Sequence, residues 1–329
     1  CIRDRVQVIR VDDPLGTGGG PFFTGQYVVV GDIEDVGGVY GWPALTDAPQ
    51  LGTTTRIEVN DRRALDAVWR NNNLWITTTI DPNIGYDPTN TGQATAHWFR
   101  LNTTTLASIF LADQGNIGGE DIATGTWTFF PAVAVNGTED VAIGFAASAA
   151  SIYGGAYYAI REFGDPLSTV GASVTVQAGV DWYVRTFGGT RNRWGDYSGA
   201  AVDPADDATF WIFNEYAEDR GTVISNEDGR WGTAWASTAP LQSLDFGDAP
   251  DPTYPTLIAS TGASHVIVQG VFMGALIDAE PDGQPHPAAL GDDLANLDDE
   301  DGVTWVTPLV PSQPAQMDVV ASVGGWVDA

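Results

Sequence analysis

Apolar and polar positions alternate in short runs along the first two thirds of the chain, and the runs recur. VQVIRV from Val6 and QYVVVGDI from Gln26 open it with the period of two that a half-buried strand needs. Ala67-Val68, Ala134-Val135 and Ala201-Val202 then follow at intervals of 67 residues. Behind each pair lies a polar turn, Arg70 to Asn73, Asn136 to Asp140 or Asp203 to Asp207, and behind each turn an apolar strand. Those strands read LWITT from Leu74, VAIGF from Val141 and FWIFN from Phe210. A further strand of small and aromatic residues comes next: AHWFRL from Ala96, AYYAIR from Ala156 and, more loosely, WGTAW from Trp231. Long helical spacing is absent. Asp61 to Arg70 is the best short helical candidate, and its place in the repeat assigns it to a strand.

Self-similarity at this period marks a propeller or solenoid, in which each unit buries its apolar face only against its neighbours. The expected fold is all-β. Residues 1–242 form a β-propeller or part of one, with four or more blades once the two N-terminal strands are included. Trp75, Phe145, Trp211 and Phe213 are then expected as core wedges between blades. The twenty uncharged residues Val141 to Ile160 are long enough to cross a bilayer, but Tyr153-Gly154-Gly155 and the repeat divide them into a buried hairpin.

Composition sharpens this reading. The chain has 39 glycines, 19 prolines and 11% aromatic residues, which suits many short strands and tight turns. A length of 329 residues predicts two domains. All 14 basic residues are arginine, against 43 acidic ones, and the net charge of −29 excludes nucleic acid and anionic membrane as partners by repulsion. The single Cys1 allows no internal disulfide and no cysteine-rich metal site. It suits a chain cut from a longer precursor better than a lipid-bearing first residue, because the strand pattern starts at once.

Beyond Arg230 there is no arginine, while 14 acidic residues remain, so a second region with its own chemistry is expected over residues 243–329. LDFGDAPDPTYPT from Leu244 interrupts any ladder with three prolines and serves as the entry to it. Nine carboxylates crowd the stretch Asp278 to Gly302 with no basic residue among them. Such groups cannot all ionise near one another without a cation, and hard oxygen ligands favour Ca²⁺. Asp278, Glu280 and Asp282 before Gly283 mimic the opening of an EF-hand loop, but Ala289 holds the twelfth position and that reading fails. A looser Ca²⁺ site drawing on Asp278, Glu280, Asp282, Asp292, Asp293, Asp298, Asp299, Glu300 and Asp301 is the expectation.

Two resemblances rest on these residues. RWGDYSGAAVDPADDATFWIFNEYA at Arg193 to Ala217, with FFPAVAVN at Phe129 to Asn136, resembles the sialidase-like propellers of bacterial secreted and surface proteins, over residues 51–237. LDFGDAP at Leu244 to Pro250, Tyr254-Pro255-Thr256, His265, GALIDAEPDG at Gly274 to Gly283, LGDD at Leu290 to Asp293 and DDEDGV at Asp298 to Val303 resemble a GEVED domain, from Leu244 to the end. That second resemblance implies a β-sandwich-like module that stops before its last strands, and hence a piece of something larger. The first implies a fold more than a reaction.

A sialidase would need an arginine cluster for the substrate carboxylate, a tyrosine and glutamate pair, and an aspartate as acid or base. Arg63, Arg161, Arg193, Tyr197, Glu215 and Asp196 are the residues available, and no spacing singles them out. The aspartate-box motif of that family is degenerate at Ser225, Glu227 and Gly229, with Gly232 in the tryptophan position. Trp98, Tyr157, Tyr158 and Trp194 are the candidates for stacking on a glycan. The three histidines, His97, His265 and His286, have no partners at metal-binding spacing. The glycosylation acceptor patterns Asn102-Thr103-Thr104 and Asn136-Gly137-Thr138 read as turns. The expected function is that of a non-enzymatic, extracellular or cell-surface structural or adhesive protein that meets other surface proteins or copies of itself. A glycan-binding protein or sialidase-like hydrolase is the alternative.

Overall fold

A computed structural model describes residues 5–31, 45–60, 62–82, 92–239, 244–267, 272–274, 277, 280, 282–291, 302–308 and 310–322. The chain divides into two compact units, Cys1–Pro240 and Leu241–Ala329. Its described elements are strands apart from one 3-10 turn at Ile258–Ser260, and the strands of each described sheet pair antiparallel, with one isolated parallel bridge between Glu58 and Arg193. All-β architecture is thus as expected. The described strands form several small sheets and close no ring.

The first unit opens with the hairpin β1 (Arg5–Asp12) and β2 (Phe22–Val29), and a smaller hairpin follows, β3 (Ala48–Gln50) and β4 (Thr53–Ile57). One four-stranded sheet then runs in meander order through β5 (Ala64–Arg70), β6 (Asn73–Ile80), β7 (Thr95–Asn102) and β8 (Phe110–Ile117). A second sheet repeats that order with β9 (Trp127–Val135), β10 (Val141–Ala149), β11 (Ile152–Arg161) and β12 (Val174–Gln177). The third has β13 (Gly199–Val202), β14 (Phe210–Ala217) and β15 (Trp231–Thr238).

Each recurrent Ala-Val pair lies on the first strand of its sheet and pairs with the start of the second. Val68 faces Trp75, Val135 faces Val141 and Val202 faces Phe210 across the ladders. Asp61 to Arg70 is strand from Ala64 onward, and Val141 to Ile160 is the hairpin β10–β11. Among the described residues no helix is long and apolar enough to cross a membrane. Asn71 and Asn72, both at positive φ, close the two-residue turn of β5–β6, where asparagine tolerates the left-handed backbone that hairpin twist requires.

Period-two alternation sends successive side chains to opposite faces, and the sheets stack by those faces. Trp75, Ala96 and Trp98 meet Val133, Val135, Ile143, Phe145 and Tyr157 between the first and second sheets. Ala134, Ala142 and Tyr158, from the opposite face of the second sheet, meet Phe210 and Ile212 of the third. Gly144 permits this approach, since a Cβ there would lie 2.8 Å from Ile212 Cγ2. On the far side Val28 and Val30 cover Ile76, Ile80, Phe99 and Leu101 of the first sheet. The order of layers is hairpin, first sheet, second sheet, third sheet.

The three repeated turns gather at one end of the stack. Arg70 of the first pairs with Asp207 of the third, Gly137 N of the second donates to Asp207 O at 2.8 Å, and Asn71 Nδ2 donates to Glu139 Oε1 at 2.8 Å. The Arg70 hydrogen bond is the main cause that holds the Asp207 carboxyl below its usual range. The sequons are turns as expected: Asn136 Oδ1 accepts from Thr138 N and Asp140 N, and Asn102 Oδ1 from Thr104 N.

One expectation fails. Trp75 and Phe145 are buried wedges, but Trp211 and Phe213 are 39% and 46% exposed. Their strand sends Phe210 and Ile212 inward, so the alternate positions face outward, where no further described layer covers them.

In the second unit the described strands make two short ladders, β16 (Leu244–Phe246) with β17 (Ser264–Val266), and β18 (Val303–Trp305) with β19 (Met317–Val319). Carboxylates tie its loops. Asp251 Oδ2 accepts from Thr256 N at 3.1 Å, Asp248 Oδ2 from Gly291 N at 2.7 Å, and Asp282 Oδ1 from Ile258 N at 2.7 Å.

Phe145→Ala should therefore cost about 3–5 kcal/mol of stability through the cavity it leaves, whereas Phe213→Ala should cost under about 1 kcal/mol. Urea unfolding of the two variants, followed by tryptophan fluorescence, checks the contrast.

Candidate functional site

Between β12 and β13 the chain leaves the repeat for a long irregular segment, and this segment builds most of a cleft of ≈ 510 Å³. Two aromatic residues anchor it. Tyr183 and Trp194 pack edge to face, ring centroids 5.3 Å apart, in a core they share with Ile57, Phe129 and Phe130. Two buried amides fix its path. Gln50 accepts from Tyr183 N at 2.8 Å and donates to Tyr183 O at 2.7 Å, while Asn192 donates to Tyr183 O and accepts from Arg185 N, each at 2.8 Å. Buried backbone groups left without partners are costly, so these amides allow an irregular segment to pass through a core.

The degenerate aspartate box has a local duty here. Its Glu227 carboxylate accepts from Thr186 N at 2.7 Å, Phe187 N at 2.9 Å and the Thr186 hydroxyl, and these bonds hold the Glu227 carboxyl below its ordinary range. Arg185 turns its guanidinium onto the carbonyls of Glu227 and Gly229, at 2.8 and 2.6 Å. Arg191 pairs with Glu58, and Arg193 with Asp196.

Glu215, on β14, reaches into the same cleft and accepts from Gly195 N at 3.0 Å. Gly195 leaves room for this carboxylate: a Cβ on residue 195 would lie 2.3 Å from Glu215 Oε1 and would displace it. Burial raises the Glu215 carboxyl above the usual range, and the charge of Asp196 adds to it, against the opposing Gly195 hydrogen bond. The Tyr183 phenol is pushed up to about 12, by burial first and by the charge of Glu215 second.

Of the sequence-predicted residues, Arg193, Trp194, Asp196 and Glu215 come together in this cleft. Tyr197 is exposed and does not line it. Arg161 does not line it and is buried, bonded to Asp113 at 3.0 Å and set 5.6 Å from the Trp98 ring centroid. Arg63 lies just before β5, where its carbonyl accepts from the Thr78 hydroxyl. Trp98, Tyr157 and Tyr158 are packed between sheets and offer no face to a glycan, while Trp194 is 3% exposed. Their aromatic pattern served the core instead. Arg185, Arg191, Tyr183 and Trp231 were not anticipated. A usable signal existed, because three of only 14 arginines fall between residues 185 and 193, outside the repeat.

Among the described residues no group of three or more His, Cys, Asp or Glu side chains is arranged to hold a metal. Asp278, Asp292, Asp293, Asp298, Asp299, Glu300 and Asp301 lie outside the described residues. Glu280 accepts from Phe246 N at 2.9 Å, and Asp282 from Ile258 N and Gly283 N, so both have backbone duties of their own. His97 is buried with Nδ1 2.6 Å from Asn116 Oδ1, and burial lowers it to about 4, so it is a neutral core residue. No protein-family model matches the chain, and comparison with curated proteins returns no match.

Because the folded state raises the Glu215 pKa, ionised Glu215 opposes folding above that pKa, and the penalty disappears as pH falls through it. Glu215→Gln should accordingly raise the melting temperature at pH 7, with the gap to wild type closing as the pH drops into the carboxylate range. Paired thermal melts across pH read this directly.

Proposed function

We propose that this chain is a non-enzymatic structural or adhesive protein of the cell surface or extracellular space. In this reading residues 1–242 are a sialidase-like β-propeller or an arc of one, and residues 243–329 a GEVED-like β-sandwich module. The blade-by-blade meander order and the face-to-face stacking support the first part, and the motif order from Leu244 to Val303 supports the second. A net charge of −29 supports solvated, extracellular placement without nucleic acid.

One observation carries the adhesive role. The first hairpin ends the stack of layers, and its outer face is mainly apolar: Ile9, Val11, Phe23, Tyr27 and Val29 are all exposed, with Val11 opposite Phe23 in the ladder and Arg5 and Gln7 at the other end opposite Val29 and Tyr27. Contiguous apolar surface of this kind marks a docking site. A stack that grows by apposing apolar faces accepts another layer at its end, from another surface protein or a second copy in head-to-tail fashion. Ca²⁺ held by the Asp278 to Asp301 loops would stiffen the second unit against the mutual repulsion of its carboxylates.

A glycan-directed role is the second reading, favoured by the cleft that gathers Arg193, Asp196 and Glu215 beside Trp231.

Sedimentation velocity over a wide concentration range tests the adhesive face. Wild-type protein should self-associate, and a Phe23→Ser, Tyr27→Ser double variant should do so at least tenfold more weakly. A wild type that remains monomeric alongside the variant removes self-assembly. Separately, excess EGTA should lower the melting transition of the Leu241–Ala329 unit alone, by the loss of about 2.7 kcal/mol if Ca²⁺ stood at a hundred times its Kd. An unmoved transition contradicts the Ca²⁺ assignment.

A further inference from the structure

We propose that the Glu215 cleft, continued by the aromatic outer face of β14 and β15, binds a neutral oligosaccharide. The inference rests on the glycan-directed reading and departs from what a sialidase-like fold leads one to expect, a carboxylated sugar.

Charge decides the ligand class. Capture of an anionic sugar needs guanidinium groups with charge to spare, yet Arg191 and Arg193 are already paired with Glu58 and Asp196. Arg185 is turned onto backbone carbonyls, and Glu215 adds a further carboxylate. The three arginines are thus matched by Glu58, Asp196 and Glu215, which leaves no surplus positive charge in the cleft, and the chain's net charge of −29 disfavours anions further. The same pairs suit hydroxyl groups. A hydroxyl both donates and accepts, so it can bridge an arginine N–H and a neighbouring carboxylate oxygen without disturbing the neutrality of either pair.

Aromatic geometry decides the ligand shape. Trp231 lines the cleft at the start of β15, and Trp235 stands on the same face of that strand, about 14 Å further at the usual rise per residue. Trp235 is 67% exposed, and its ring lies 5.4 Å from that of Trp211, tilted by 44°. The Trp211 indole N–H donates to Asp203 Oδ2 at 3.0 Å, which fixes that ring before any ligand arrives. Phe213 lies opposite Trp235 in the ladder and fills the space beside the pair. The faces of sugar rings carry C–H groups of slight positive charge, which complement the negative face of an aromatic ring. A row from Trp231 to Trp235 and Trp211 is long enough for several sugar rings, with the polar cleft as one end of the site.

Native electrophoresis of the full chain in gels containing dissolved polysaccharides tests this. The probes are a β-glucan, an α-glucan, a mannan and a galactan, with polygalacturonate and polysialic acid as the acidic set. Retardation by at least one neutral polysaccharide is expected. Trp231→Ala and Trp235→Ala should each weaken it at least tenfold with unchanged far-ultraviolet circular dichroism, while Phe23→Ser on the distant hairpin should leave it unaltered. If Trp231→Ala loses its melting transition, Trp235→Gln, at an outward position, carries the same test. Retardation by acidic polysaccharides alone overturns the neutral assignment and leaves the glycan-directed reading standing. Absence of retardation by every probe overturns both. Retardation that survives the tryptophan substitutions overturns the placement of the site.

Discussion

Every residue of Trp127–Val135 and of Val141–Ala149 is buried, so the sheet they form needs a covering layer on each of its faces. One face takes Trp75 and Trp98 of the preceding sheet, and the other takes Phe210 and Ile212 of the following one. A strand buried on both faces reads as a continuous apolar run, which is why Val141 to Ile160 lacks charge altogether. The outer layers depend on this central one. The hairpin β1–β2 rests on the first sheet, and the cleft segment is anchored by a core that includes Phe129 and Phe130 of β9. Even the repeated turns cooperate, since Asp207 is held both by Arg70 and by Gly137 from the other two copies.

The acidic composition is managed mainly with backbone donors. Asp13 gathers Thr17 N, Gly18 N and Gly20 N around one carboxylate, and Asp206, Asp251 and Asp282 close their own loops in the same manner. Four arginines join distant segments, Arg70 with Asp207, Arg161 with Asp113, Arg191 with Glu58 and Arg220 with Asp181, while Arg10 and Arg193 pair locally with Asp12 and Asp196. Of these four the Arg161 pair is the buried one, and part of its desolvation is offset by the Glu162 and Asp165 carbonyls, which receive Arg161 N–H groups, and by Gln114 N and Ser168 N, which donate to Asp113.

Legibility in the sequence followed periodicity. The strands from Ala67, Ala134 and Ala201 repeat in composition because each occupies the same place in its sheet, so order and pairing could be read without a structure. Whether a face is covered could not be read, since FWIFN and LWITT carry equally apolar alternation while only the second has layers on both sides. That ambiguity misassigned Trp211 and Phe213. It also made Trp98, Tyr157 and Tyr158 look like a stacking surface, when their rings are core. The cleft was illegible for another reason. Gln50 and Tyr183 are 133 residues apart and joined by hydrogen bonds that leave no pattern in sequence, so nothing periodic marks the segment they organise.

Native-state hydrogen exchange is the most direct measurement of the layered dependence. The account predicts that amides of β10 and of the β9 and β11 positions paired with it exchange slowest and only through global unfolding of the first unit, with β1–β2 and β15 opening earlier. Amides of β10 that exchange as fast as those of β1–β2, or a β1–β2 hairpin that outlasts them, would contradict it.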